Sequence, residues 1–199
     1  MDRVFVIGKD TVPARTAVGE GESLRWTFLA LPGTSADVRV EVSLEGKSAD
    51  VDIACLYLCP SDERLNLDVD VRHLSGGCVS RQLFKGIVGG EARASFDGLI
   101  YVARDAQKTE AYQESHSVLL SDKAVAESRP QLEIYADDVK CSHGATSGYL
   151  DPDELFYMQS RGIGEEEARR LQILAFVSPV LNRLPEELVK KVYDCLSEN

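Results

Sequence analysis

The sequence predicts a mainly β protein that ends in a small helical domain, and two patterns along the chain support this division. In the first part, apolar and polar residues alternate in short segments, as in residues 38–45 and 65–72. A period of two is typical of strands with one buried and one solvent-facing side. From residue 151 onward the apolar spacing is helical instead. We therefore predict a β domain over residues 1–150 and a helical domain over residues 151–199.

The predicted strands are short and are separated by turn signals such as LPGTSAD, LEGKSAD and VGGE. Further strands are predicted at residues 4–7, 23–28, 82–87, 99–102, 117–120 and 131–135. Between about residue 72 and residue 148, small and polar residues interrupt the pattern, and no strict short repeat is visible. Many short strands with small-residue corners favour either a β-sandwich or a β-solenoid.

The helical domain is predicted from its start and stop signals. Asp151 is a good N-cap, Pro152 suits the first helical position, and Gly162 is able to end the helix. A second helix begins at GEEEARR and is expected to kink or end at Pro179, and a third begins near Pro185. Such helices normally pack inward on the β domain, although they can also form a docking module for a partner.

The charge and the N-terminus limit the classes of partner. A formal net charge of −11 argues against contact with nucleic acid or anionic membrane, because both need clustered Lys and Arg. No apolar run is long enough to span a bilayer. The segment MDRVFVIGKD lacks the apolar region and cleavage site of a secretory signal. We therefore expect a cytoplasmic protein.

The chain carries none of the short motifs that mark the common enzyme classes. There is no Walker A loop, no G-x-S-x-G or H-E-x-x-H motif and no dinucleotide fingerprint. A carbohydrate-active β-helix enzyme is disfavoured because no clustered acidic or basic face is visible. His73 and Cys78 flank a glycine turn, where structural roles are expected. We therefore expect no enzymatic activity of its own.

The five cysteines do not form a complete metal site within this chain. Their odd number and irregular spacing disfavour a disulfide framework. Cys55 and Cys59 lie in the strand-like run IACLYLC, where residues four apart face the same way but stand roughly 13 Å apart, too far to chelate one ion.

The densest chemical cluster is DDVKCSHGATSG, which holds Cys141 and His143 two residues apart. On an extended strand these side chains point to one face about 7 Å apart, and thiolate and imidazole are competent iron ligands. Lys140 is expected to favour the thiolate. The alternative is a buried structural cysteine beside a surface histidine. Two donors do not complete a site, so a metal site here requires a second subunit.

Several long segments of the chain are distinctive, among them SRQLFKGIVGGEARASFDGLIYV, PQLEIYADDVKCSHGAT and ELFYMQSRGI. They resemble the core of the SufB/SufD family of iron–sulfur cluster assembly scaffolds, and the resemblance runs from about Val38 to about Phe176. It is closer to SufD than to SufB in the CSHGAT segment. The resemblance implies a right-handed parallel β-helix followed by a small C-terminal α-helical domain.

The resemblance also implies partners and functional residues. SufD-like subunits pair with SufB, and their helical domains engage the ATPase SufC. The family's functional histidine matches His143, with Cys141 at the neighbouring motif position, and a transient iron–sulfur cluster or iron would be shared with the partner. In ELFYMQSRGIG, the residues Phe156, Tyr157 and Arg161 are predicted partner-binding residues, because aromatics with Arg are common interface anchors.

Two hypotheses about the function remain open. The favoured one is a scaffold subunit of the Suf assembly system that pairs with a SufB-like subunit and the SufC ATPase. Family members are typically about twice this length, so the chain is either a short paralogue or an excised core. The alternative is therefore a structural paralogue that keeps the fold and the docking surfaces but builds no cluster. A homodimer is a further alternative to the SufB-like partner.

Overall fold

The computed structural model describes residues 1–197, which form eleven β-strands followed by three α-helices. The strands are β1 (Asp2–Val6), β2 (Arg15–Val18), β3 (Ser23–Ala30), β4 (Ala36–Leu44), β5 (Asp50–Cys59), β6 (Arg64–His73), β7 (Val79–Val88), β8 (Arg93–Val102), β9 (Glu110–Leu119), β10 (Val125–Ile134) and β11 (Lys140–Gly148). The helices are α1 (Pro152–Ser160), α2 (Glu165–Leu181) and α3 (Glu186–Ser197). None of the helices in this part of the chain has the length and apolar character of a membrane span.

Consecutive strands alternate between two parallel sheets. The odd-numbered strands form a six-stranded sheet in the order β1-β3-β5-β7-β9-β11, and the even-numbered strands form a five-stranded sheet in the order β10-β8-β6-β4-β2. Each strand therefore pairs with the strand one full turn away, and side chains 29 to 32 positions apart become neighbours. This is a β-solenoid of about five turns. The prediction of a mainly β solenoid with C-terminal helices is confirmed, and the sandwich alternative is wrong. The right-handed sense and the boundary at residue 150 stay predictions.

The apolar residues of the alternating strands meet between the two sheets. Phe5, Trp26 and Phe28 pack at the N-terminal end with ring centroids 5.3 to 6.1 Å apart. Further along, Phe84 and Phe96 face each other across the interior at 4.1 Å. Burial of such large side chains is the main favourable term of the fold, about 1.5–3 kcal/mol for each of them.

The interior changes character toward the C-terminal turns. Strands β7 and β9 direct Ser80, Gln82, Gln113, Ser115 and Ser117 inward, and all five are buried. The alternation of buried and exposed positions continues there, but the buried positions are polar and small. This explains why the sequence pattern weakens after residue 72.

Helices α2 and α3 cover the outer face of the odd-numbered sheet. Val177, Val180 and Leu181 of α2 pack on outward apolar residues of β3, β5, β7 and β9, among them Leu56 and Ile87. Strand β5 is therefore buried on both faces, which accounts for the unbroken apolar run in its sequence. The helices pack inward, as amphipathic helices usually do.

Polar contacts fix the position of α2 on the sheet. The Arg183 guanidinium lies 2.6 Å from a carboxylate oxygen of Asp52, and the Lys85 ammonium lies 4.4 Å from the centre of the Phe176 ring. Helix α2 continues to Leu181, so it does not end at Pro179, and the alternative of a kink at this residue stays a prediction. Pro179 lies in the last turn, where the helix continues for only two more residues.

Candidate functional site at the open end of the solenoid

Strand β11 is the terminal strand of its sheet and pairs only with β9 among the described residues. The N–H of Lys140 donates to the carbonyl of Thr109 at 2.9 Å. In a parallel ladder the backbone groups of alternate residues point to opposite edges. The N–H groups of Cys141, His143, Ala145 and Ser147 therefore point to the free edge. The use of the terminal strands for pairing with a partner stays a prediction.

Both predicted donors lie on the inward face of β11, in the last layer of the solenoid. Cys141 is in register with Ala111, and His143 is in register with Gln113. Cys141 is half-buried and packs against the cluster that includes Ile100 and Val102. His143 is exposed, because no further turn covers it within the described chain.

The opposite side of this last layer comes from β10 and is also uncovered. Leu132 and Ile134 are in register with the buried Ile100 and Val102, yet Ile134 is 38% exposed. Pro130 lies across the same layer, in register with Gly98. The open end thus combines apolar side chains with an imidazole and a thiol, which is a surface suited to a protein partner.

The electrostatics at Cys141 differ from the prediction made from Lys140. The Lys140 ammonium lies 2.9 Å from a carboxylate oxygen of Glu110, on the outer face of the sheet. Burial raises the pKa of the Cys141 thiol, and a backbone hydrogen bond from Ala111 opposes this only in part. The expectation that Lys140 favours the thiolate is therefore wrong. A pKa raised above that of a free cysteine favours the thiol over the thiolate at neutral pH.

Cys141 and His143 do not form a complete metal site with other residues that the structure describes. Within residues 1–197, no group of three or more His, Cys, Asp and Glu side chains is placed to hold a metal ion. Cys55 and Cys59 lie on β5 and are buried in the core, and burial raises the pKa of both thiols. Cys141 and His143 carry a sulfur and a nitrogen donor of the kinds that bind iron, and their role as ligands stays a prediction.

Sequence reasoning missed the polar residues behind His143. The side-chain amide of Gln113 donates to that of Gln82 at 3.1 Å, and both residues are buried. They occupy the same row of the inward face as His143. The only sequence signal was the interruption of the apolar pattern by small polar residues, which did not indicate their direction.

The three predicted partner-binding residues lie on and just after helix α1. Phe156 is 72% exposed and Tyr157 is 60% exposed, and α1 buries none of its residues. The Arg161 guanidinium lies 5.3 Å from the centre of the Tyr157 ring. The Asp151 side chain accepts from the N–H of Asp153 at 2.8 Å and caps the helix as predicted. The role of this surface stays a prediction.

The sequence matches a protein family over most of its length. Residues 10–176 match the family described as "SUF system FeS cluster assembly, SufBD core domain". The chain is 40% identical over 148 residues to the iron–sulfur cluster assembly protein SufD of Escherichia coli, which covers 74% of the chain and 35% of that protein.

Two further relatives agree with this match. The chain is 37% identical to the chloroplastic protein ABCI7 of Arabidopsis thaliana over 84% of the chain, and 32% identical to SufD of Bacillus subtilis over 88%. It spans only 35% to 40% of the length of these three relatives. The expected likeness to SufD is confirmed, and the chain belongs to the SufB/SufD family of iron–sulfur cluster assembly proteins.

Proposed function

We propose that the chain is a scaffold subunit of the Suf iron–sulfur cluster assembly system that completes its cluster site with a SufB-like subunit. The observation that carries this proposal is the position of His143 and Cys141 on the last, uncovered layer of the solenoid. A thiol and an imidazole at an open end can serve a metal site if a second molecule supplies the remaining ligands. The cluster or its iron is cargo shared across this interface.

The free edge of β11 supports a strand-pairing contact with that partner. Exposed edges recruit strands from other chains, because unpaired N–H and C=O groups gain hydrogen bonds there. The same contact would cover the apolar Ile134 and bring the partner's ligands close to His143. A second copy of this chain is the competing occupant.

The exposed helix α1 supports a second contact, to a SufC-type ATPase. Phe156, Tyr157 and Arg161 form one surface patch that α1 does not use for packing. Energy from nucleotide hydrolysis would then enter through the partner, and the chain would have no turnover of its own. A cytoplasmic location remains our expectation, although one relative is named as chloroplastic.

The proposal is tested by replacing His143 in cells that rely on this system for iron–sulfur enzyme maturation. His143→Ala should reduce maturation at least about tenfold, because an exposed ligand is lost. The thermal midpoint should change by less than about 2 °C, since the side chain contributes little packing. His116→Ala is the matched control, because His116 lies on neighbouring β9 but faces the outer side of the sheet.

Two results would contradict the proposal. Normal maturation with His143→Ala at unchanged protein level would favour the structural paralogue. A large loss of stability with normal maturation by the remaining folded protein would show that His143 serves the fold. Cys141→Ser gives a companion measurement, and a weaker effect there would place the main donor at His143.

A further inference from the structure

A row of polar side chains runs along the inside of the solenoid and ends at His143. In the odd-numbered sheet, Gln82 is in register with Gln113, and Gln113 is in register with His143. Neighbours in such a row lie one strand spacing apart, about 4.8 Å, and point in the same direction. The first pair of the row already uses this geometry for a hydrogen bond of 3.1 Å between the two amides.

The second pair of the row has an unused acceptor. Gln113 is 1% exposed, and its Oε1 atom has no hydrogen-bond partner among the described residues. A buried amide oxygen without a donor destabilises the fold, so a donor that reaches it is favoured. The next side chain of the row is the imidazole of His143.

The fold makes room for the Gln113 amide at this position. A Cβ atom at Gly98, on the facing sheet, would lie 2.6 Å from Gln113 Nε2 and 2.7 Å from Gln113 Oε1. The same Cβ atom would lie 2.4 Å from Phe96 Cζ, so a larger residue at position 98 would displace the amide, the Phe96 ring or both. Glycine at this position and the hydrogen bond to Gln82 together hold the amide in one place behind the open end.

We propose that Gln113, held by Gln82, is a positioning residue that accepts a hydrogen bond from one ring N–H of His143. This inference rests on the proposed function, in which His143 is a ligand. An imidazole with one nitrogen engaged in this way keeps a single neutral tautomer, and its other nitrogen presents a lone pair outward. The row would thus prepare His143 to donate to iron at the partner-facing side.

The test measures the tautomer of His143 by nitrogen NMR on the chain labelled with ¹⁵N-histidine. At pH 8, one neutral tautomer of His143 should dominate. Gln113→Met, which keeps the length of the side chain but removes the acceptor, should change the tautomer ratio at least about threefold, the size expected for the loss of one hydrogen bond. Gly98→Ala crowds both the Gln113 amide and the Phe96 ring, and it should also change the ratio, which provides a second variant if Gln113→Met does not fold.

Two controls separate positioning from a general change of structure. Gln131→Met removes an exposed amide from β10 and should leave the His143 ratio unchanged. The His116 signal, from an imidazole that contacts Thr146 at 2.7 Å, should stay constant in all variants. An unchanged His143 ratio in both Gln113→Met and Gly98→Ala would overturn the inference.

The same variants distinguish this inference from the function on which it rests. A tautomer shift together with normal maturation by His143→Ala would keep the positioning role and reject the ligand role. Reduced maturation by His143→Ala with an unchanged tautomer ratio in the Gln113 and Gly98 variants would keep the ligand role and reject the positioning role.

Discussion

His73 is a fully buried imidazole in the interior of the solenoid, far along the chain from the candidate site. Its Nε2 lies 2.9 Å from the Ser80 hydroxyl, and no carboxylate pairs with it among the described residues. Burial lowers its pKa from 6.5 to about 4. The folded protein therefore holds this histidine neutral, which agrees with the structural role predicted for it.

This burial predicts a pH dependence of stability. Because the folded pKa lies below the unfolded pKa, only the unfolded chain binds the proton between pH 6.5 and pH 4. The contribution of neutral, buried His73 to the free energy of unfolding is therefore complete above pH 6.5. It is lost as the pH falls to about 4. Between pH 7.5 and pH 5 the loss should be about 2 kcal/mol.

Urea unfolding at the two pH values measures this loss. His73→Gln should lower stability at pH 7.5, but it should remove most of the decrease between pH 7.5 and pH 5. His116→Gln, at a half-buried position on the outer face, should keep the decrease. An unaltered decrease in His73→Gln would mean that other groups cause it.

Single residues also show what sequence alone can give. Cys141 and His143 were found because the motif places both on one strand face, and the structure puts them there. Gln113 was missed because its importance comes from its register with His143, 30 positions further along the chain. Register between strands follows from the packing of whole turns, and it cannot be predicted from the pattern of a single sequence.

At the scale of elements, the helices differ in how they use their surfaces. Helix α2 buries Val177, Val180 and Leu181 against the odd-numbered sheet, whereas α1 buries no residue. Removing all of residues 151–199 would expose the outer face of β5 and β7 and would destabilise the solenoid. The docking surface is therefore better tested on α1 alone.

We predict that the double variant Phe156→Ala/Tyr157→Ala weakens binding to a SufC-type ATPase at least tenfold. Exposed aromatics at the centre of an interface often contribute more than 1 kcal/mol each. The thermal midpoint should stay within about 2 °C, because neither side chain is packed. Isothermal titration calorimetry measures the affinity, and Gln159→Ala, an exposed change on the same helix, is the control. Unchanged affinity in the double variant would remove α1 from the contact.

The strands show why element boundaries were harder to predict than element type. Strand β8 runs over Arg93–Val102, although only its last part was predicted, because the small residues Ala94 and Gly98 occupy buried positions and weaken the apolar alternation. Strand β11 continues through Gly144 to Gly148. Glycine and small polar residues usually indicate turns in a sequence, but here they lie within the strands of the solenoid.

For the whole molecule, a solenoid has a repeating shape without a repeating sequence. Each turn needs an inward side chain, an outward side chain and a corner, and many residue types satisfy these needs. The corner at Gly90 does demand glycine, because φ is +52° and a Cβ atom would collide with the carbonyl of Ser61. Such constraints are few, so the sequence left the sandwich and the solenoid open, and only the family resemblance favoured the solenoid.

The two strands at the open end differ in what they offer to a partner. On β10, the N–H of Val125 donates to the carbonyl of Ala92, so the even-numbered positions point to the free edge. Pro130 occupies one of these positions and supplies no N–H there, so the free edge of β10 is less suited to pairing with another strand. Strand β11 contains no proline between Lys140 and Gly148, so its free edge keeps all its donors.

We therefore predict that Ala145→Pro blocks association with the SufB-like subunit. The N–H of Ala145 points to the free edge, so proline removes a donor for the partner without breaking a hydrogen bond to β9. Ala145→Ser keeps the N–H and is the matched control. Analytical ultracentrifugation of the chain, alone and with the SufB-like subunit, should give a complex with Ala145→Ser and none with Ala145→Pro. Circular dichroism should stay β-rich in both variants. A complex that persists with Ala145→Pro would mean that side chains, not strand pairing at β11, hold the partner.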